Sequence, residues 1–392
     1  LVTHAHNRAN IAKAGLFEGW DFTAVDPRAA DALVHRVSVL LGVPFGTNKG
    51  WTTLTALSRW SYRQFEQLVW RTFESRIRAG HFDVVHRLTP LSPTIPSSLA
   101  VRCAEAGVPF VLGPLNGGLP WPPGFGRLRA KEKEWLSYVR GAHRWLPGYH
   151  STLAAASALI AGSRSTREEI PRRYAGKVVY IPENAIEPGR FDRPVGGPVE
   201  LPLRVVFVGR LVPYKGADML LEAAAPLARA GQVRIDLIGD GPERPALEAM
   251  AKAERIESAV DFAGWVDHRE LKTRMGASHV LGFPSVREFG GGVVLEAMAL
   301  GLVPIVLDYG GPGELVSPST GFALPMGSRE SVVRRTRSAL EGLVSDPRVI
   351  RPMGERARQR VLRSFTWAAK AEQVAEVYRW VLGQREKPDF GM

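Results

Sequence analysis

Residues 203–239 read LRVVFVGRLVPYKGADMLLEAAAPLARAGQVRIDLIG. An apolar run rich in β-branched residues ends on a glycine. A short polar loop and an amphipathic stretch of helical length follow, and a second apolar run again ends on glycine. Strands that are apolar on both faces and alternate with helices mark βαβ units in a parallel sheet covered on both sides. Toward the C-terminus the alternation continues: AVDFAGW (259–265) precedes HRELKTRM, HVLGFPS (279–285) precedes VVLEAMAL, and VPIVLD (303–308) precedes a Gly-Pro-rich turn. This stretch predicts a Rossmann-like, doubly wound unit.

Toward the N-terminus the same grammar is looser. FDVVHRL (82–88), VPFVLGP (108–114), ALIAGS (158–163) and VVYIPE (178–183) are strand candidates separated by helical stretches. Residues 46–80 contain a long amphipathic helix with Trp60, Phe65, Leu68, Val69 and Phe73 on one side. DRPVGGPVELPL (192–203), rich in Pro and Gly and without helical period, reads as a linker. The fold class is therefore α/β, with one Rossmann-like domain over 1–195 and a second from 196 onward.

Length and composition agree. A chain of 392 residues exceeds one ordinary core, and 45% hydrophobic with 23% charged residues excludes disorder and collagen-like repeats. The single cysteine, Cys103, excludes an internal disulfide framework or Cys-rich zinc module and fits a reducing compartment. Its flanks, AVRCAEAG, read as helix, which makes it a packing residue. No apolar run approaches the ~18–20 residues that span a bilayer. The opening LVTHAHNRANIAKAGL, which begins without Met, shows no basic leader followed by an apolar stretch.

The net charge of +12 is uneven. Residues 1–195 hold 25 Lys+Arg against 15 Asp+Glu, and residues 196–392 hold 26 against 24. A basic first half suits nucleic acid, an anionic membrane surface or phosphorylated substrates. Within it, Arg127, Arg129, Lys131, Lys133, Arg140 and Arg144 interleave with Trp135, Tyr138, Trp145 and Tyr149. That mixture suits an anionic membrane surface or a lipid-linked acceptor.

Ligands of open parallel sheets bind beyond the carboxyl ends of the strands, so the chemistry should lie just after them. After the run at 203–209 come Gly209, Arg210, Lys215 and Gly216. An Arg fork and a Lys point charge across a tight loop can reach one polyanion. After the run at 279–285, Glu288 and Glu296 stand eight apart with Gly290, Gly291 and Gly292 between them. Glycines at a helix start offer backbone N–H groups and the helix dipole to an anion such as a diphosphate. Glu288 can accept hydroxyl hydrogen bonds from the loop, and Glu296 can do so from within the helix. Carboxylates beside a phosphate channel would repel nucleic acid, so no nucleic-acid partner is expected.

In combination these segments resemble the retaining glycosyltransferases of the family-4 type. The residues that carry the resemblance are VGRLVPYKG, LIGDGPERPAL, VDFAGWVDHREL, FPSVREFGGGVVLEAMALG with its Glu-x7-Glu spacing, and VPIVLDYGGPGELV, in the family's order over about 203–325. The resemblance implies the GT-B architecture, two Rossmann-like domains facing across a cleft. It also makes VLRSFTWAAKAEQVAEVYRWVL (361–382) the family's terminal helix, so that the nucleotide-sugar domain covers 196–366 and residues 367–392 cross back to the acceptor-side domain.

The resemblance implies roles residue by residue. Arg210 and Lys215 hold the diphosphate of a UDP- or GDP-linked sugar, and Glu288 contacts the transferred sugar, these three being the catalytic set. Gly209, Gly290, Gly291 and Gly292 let the donor approach backbone, Glu296 binds the ribose, and Gly264 lies beside the base. No Asp-x-Asp occurs in the chain, so metal-independent transfer with no cofactor is expected, to a glycan or lipid-linked acceptor.

Three departures qualify the pattern. Phe289 comes one position early in FGGG. GPLNGG (113–118) stands where many relatives carry a His, which makes Asn116 and the His86 of VVHRLTP the acceptor-side candidates. The chain opens as though on the family's second strand and helix, so the first strand–helix unit is expected to be missing from 1–195. That expectation keeps a second reading open, a catalytically silent sugar-nucleotide sensor or assembly partner. The expected location is cytoplasmic, peripheral on the inner membrane face.

Overall fold

The computed structural model describes residues 1–27, 51–126, 144–145, 147–191 and 199–391. Strands in chain order are β1 (Val2–His4), β2 (Thr23–Val25), β3 (Val85–Arg87), β4 (Phe110–Leu115), β5 (Ala158–Ala161), β6 (Val178–Tyr180), β7 (Leu203–Val208), β8 (Val233–Ile238), β9 (Val260–Gly264), β10 (Val280–Phe283), β11 (Val303–Leu307) and β12 (Phe322–Leu324). They form a six-stranded sheet of order β12-β11-β10-β7-β8-β9, a four-stranded sheet β3-β4-β5-β6, and a separate pair β1-β2. Every pairing between these strands is parallel.

In the six-stranded sheet, β7 pairs with β8 over its whole length, Leu203 opposite Val233 and Val208 opposite Ile238. The strand order runs one way from β7 to β9 and the other way from β10 to β12, so it reverses between β7 and β10. That reversal is the topological switch point, where an open α/β sheet leaves a crevice at its carboxyl edge. Helices cover both faces, and Leu203, Val206, Phe207, Leu281 and Ile305 are buried in one continuous core. This explains the unbroken apolar runs in the sequence.

The four-stranded sheet has a helix layer on each face. The helix Trp51–Arg78 and the helix Ser98–Glu105 bury Val69, Trp70, Ile77, Leu99 and Cys103 against Phe110, Leu112 and Leu159. Cys103 is thus a packing residue. Phe65, Leu68 and Phe73 are only partly buried there, while Trp70, absent from the expected face, is a core member. The side chain of Trp60 lies outside the described residues. On the opposite face, Val377 of the helix Trp367–Val381 packs with Val111, Ile160, Val179 and Ile181.

The linker reading at 192–203 falls partly outside the described residues, as do 127–143 of the basic, aromatic segment. Of the remainder of that segment, Trp145 is 91% exposed, but Tyr149 is buried under the first sheet. Tyr149 is therefore core, not an interfacial aromatic: it is buried in one cluster with Leu153, Phe110 and Leu159. Among the described residues, no helix is long and apolar enough to cross a membrane.

Candidate active site

The carboxyl ends of β7 and β10 bring one predicted cation, Lys215, against one predicted acid, Glu288. β7 ends at Gly209, and Arg210 follows, exposed. The chain turns through Pro213–Lys215, and a Cβ on Gly216 would fall 2.4 Å from the Pro284 carbonyl, so this turn lies directly on the chain leaving β10. There the Lys215 ammonium forms an ion pair with the Glu288 carboxylate, both side chains being largely shielded. Lys215 Nζ also stands 5.2 Å from the centre of the Phe283 ring.

Beyond Glu288 the glycine run opens the helix Gly292–Ala299. Gly291 is its N-cap with φ 68, a left-handed conformation that a side chain would strain. A Cβ on Gly290 would fall 1.9 Å from Asn184 Nδ2, so the first-sheet half reaches the mouth of the loop. Glu296 is half-buried on the second turn of the same helix, beyond buried Val294 and Leu295. Gly264 ends β9 and accepts the Gly239 N–H at 2.8 Å, which places it beside the end of β8. The early aromatic also has a place: the Arg287 guanidinium lies 5.4 Å from the Phe289 ring and 5.0 Å from that of Trp121.

On the facing side, β4 runs out into the GPLNGG loop. The Asn116 amide donates to the Glu183 carboxylate at 2.9 Å, and its own Oδ1 accepts the Gly118 N–H at 2.9 Å. Burial pushes the Glu183 carboxyl above the usual carboxylate range, against the opposing effect of Asn116. Glu183 was not singled out from sequence, although it terminates the apolar run VVYIPE. An acid closing a strand was the available signal.

His86 lies elsewhere. Its Nε2–H donates to the Gly113 carbonyl and its Nδ1 accepts the Tyr378 hydroxyl, both at 2.7 Å. Burial lowers its pKa to about 4. Both nitrogens of the neutral ring are thus occupied in joining β3, β4 and the last helix. In this arrangement His86 serves as a packing strut between β3, β4 and the last helix.

The two halves meet through named contacts. Arg287 Nε reaches the Leu119 carbonyl at 3.4 Å and the Tyr309 hydroxyl donates to the Pro120 carbonyl at 2.7 Å. Two parallel sheets joined over cations, acids and a glycine-capped helix at a switch point are the outline of a GT-B glycosyltransferase.

Comparison with known proteins places the chain among them. The Glycosyl transferases group 1 profile matches residues 190–360. The chain is 30% identical over 277 residues to the alpha-maltose-1-phosphate synthase of Mycobacterium tuberculosis, across 65% of this chain and 70% of that protein. It is 26% identical over 251 residues to the alpha-D-kanosaminyltransferase of Streptomyces kanamyceticus, across 59% of this chain and 62% of that one. Among solved structures, Anabaena Alr3699/HepE in complex with UDP superposes with TM-score 0.52 at 18% identity, covering 77% of this chain and 80% of its own. The chain belongs to the group 1 glycosyl transferases and has the two-domain GT-B fold.

Proposed function

We propose that the chain transfers a hexose from a nucleotide-diphosphate sugar to a glycan or lipid-linked acceptor, with retention of configuration and without a metal ion. The observation that carries this reading is the meeting of Lys215 with Glu288 beside the glycine loop, at the switch point between β7 and β10. A diphosphate entering there would take Lys215 from Glu288, gain the exposed Arg210, and rest on the N–H groups of residues 290–292. Glu288, released, would accept hydroxyls of the sugar. Two fixed cations that stabilise the departing diphosphate act where charge develops as the glycosidic bond breaks. The UDP held by the HepE structure supports a UDP donor, and a GDP donor fits the same cations.

On the acceptor side, Asn116 remains the candidate from sequence and Glu183 joins it. Arg127, Arg129 and Lys131 with Trp145 would hold the first half to an anionic membrane surface on its cytoplasmic face, each cation contributing ~1 kcal/mol. Loss of binding to anionic vesicles on reversing those three charges supports this part, and unchanged partitioning removes it.

The central test is a screen of UDP-glucose, UDP-galactose, UDP-N-acetylglucosamine and GDP-mannose by thermal shift and donor hydrolysis. A stabilising donor that is also turned over is the expected result. Binding without turnover would leave a sugar-nucleotide sensor, and strong inhibition by chelators would contradict metal independence.

A further inference from the structure

A buried carboxylate that the sequence pattern did not single out joins the two halves. Glu314, in the short helix Gly311–Leu315, is 7% exposed. Its Oε1 accepts the backbone N–H of Arg164 at 2.9 Å, and its Oε2 accepts the Tyr180 hydroxyl. Both donors belong to the four-stranded side: Arg164 follows β5, and Tyr180 is the last residue of β6. From the six-stranded side, Arg360 Nε donates to the adjacent Leu315 carbonyl at 3.0 Å. Glu314 therefore spends its whole hydrogen-bonding capacity seen here on the opposite half of the molecule.

The helix that carries Glu314 is also the wall of the glycine loop. The Gly311 N–H donates to the Glu288 carbonyl at 3.2 Å. A Cβ on Gly311 would fall 2.2 Å from the Phe289 carbonyl oxygen, and one on Gly310 2.4 Å from that of Glu288. A Cβ on Gly291 would meet Pro312 N at 3.1 Å. Backbone thus rests directly on backbone here, with the Leu119 and Leu315 side chains packed alongside, and close-packed contacts of this kind transmit a displacement instead of absorbing it.

We propose that Glu314 is a positioning residue whose bonds to Arg164 and Tyr180 hold the loop 288–292 at a fixed place against the acceptor-side half. The kinetic part of this inference rests on the transferase reading above; the structural part does not. In turnover the attacking oxygen, that of water in hydrolysis as of an acceptor hydroxyl in transfer, must be brought to roughly 3–3.5 Å from the anomeric carbon between the two halves, so a shift of about an ångström in the loop lowers turnover more than donor binding.

The test uses the full chain with Glu314→Ala, Tyr180→Phe and Glu314→Gln, read by hydrogen–deuterium exchange, UDP thermal shift and UDP-glucose hydrolysis. Peptides covering 286–296 should exchange about tenfold faster in the first two variants, with those of β7 unchanged. Hydrolysis should lose roughly tenfold in kcat with KM altered less than about threefold. Glu314→Gln should stay near wild type, because its amide oxygen still accepts the Arg164 N–H and its NH2 donates to the Tyr180 oxygen. If Glu314→Ala does not fold, Tyr180→Phe carries the measurement. Unchanged exchange at 286–296, or a rise spread evenly over both sheets, overturns the proposal. A wild-type chain unmoved by UDP or GDP would sink the donor reading, while the exchange result would still decide the role of Glu314.

Discussion

The two sheets place polar groups at their carboxyl edges by different means. At the six-stranded sheet, Arg210, Lys215, Glu288 and the glycines come from two short turns next to each other at β7 and β10. Each turn is a contiguous stretch of sequence. At the four-stranded sheet, Asn116 follows β4 while Glu183 and Asn184 follow β6, so Asn116 meets Glu183 across strands far apart in sequence and Asn184 reaches Gly290 on the other half. A site built from local turns survives as a motif, whereas one built from tertiary contacts does not. The edge of the six-stranded sheet is consequently readable and that of the four-stranded sheet is not.

Substitutions at the donor edge test that contrast most strongly. Arg210→Ala and Glu288→Ala should each lower donor turnover by about 100- to 1,000-fold, close to 3–4 kcal/mol of transition-state stabilisation. Donor hydrolysis under saturating sugar nucleotide reads this, and unchanged turnover would remove these residues from the site. Gly239→Ala should cost on the order of 3 kcal/mol in folding, since its φ is 135 and a Cβ would fall 2.0 Å from the Gly209 carbonyl. Gly231→Ala, where nothing lies within 4 Å, should cost about 1 kcal/mol in the same denaturant titration.

The other side should reveal itself through pH. Lys370, on the last helix, is 6% exposed, its Nζ has no hydrogen-bond partner, and burial lowers its pKa to about 7. A depressed lysine destabilises the folded chain below about pH 7, and that cost is relieved as pH rises toward the ordinary value near 10.4. Lys370→Met should therefore stabilise by about 4 kcal/mol at pH 7 and by less than about 1 kcal/mol at pH 10. A gain independent of pH would contradict the burial argument. His86 acts with the same sign in a lower window. With its pKa lowered to about 4, it contributes fully above pH 6.5 and loses that contribution as pH falls through 4. The wild type should lose about 2 kcal/mol more than His86→Asn between pH 7 and pH 5, measured by urea unfolding.

Legibility follows the same division. Strand runs in the second half match β7 to β11 closely, because a doubly covered parallel strand must be apolar throughout. In the first half β3 is only Val85–Arg87 within the expected 82–88, since the ends of that run leave the sheet for loops. The place of His86 at the end of an apolar run suggests a ligand. Only the third dimension shows Tyr378, 292 positions away, capping its ring nitrogen. Tyr149 and Trp145 differ by four positions yet point to core and solvent. Glu314 sat inside a recognisable Gly-Pro turn, but its partners Arg164 and Tyr180 carry no pattern that would have paired them with it.

The last helix has a consequence for how the protein is made. Val377 completes the core over β4, β5 and β6, strands whose own residues are finished by position 180. At about 5–20 residues per second, a ribosome takes roughly 10–40 s to travel from there to Val377. Throughout that interval Val111, Ile160 and Val179 lack their cover. The half synthesised first therefore waits for a residue synthesised roughly 200 positions after its own strands before this face of its core is covered.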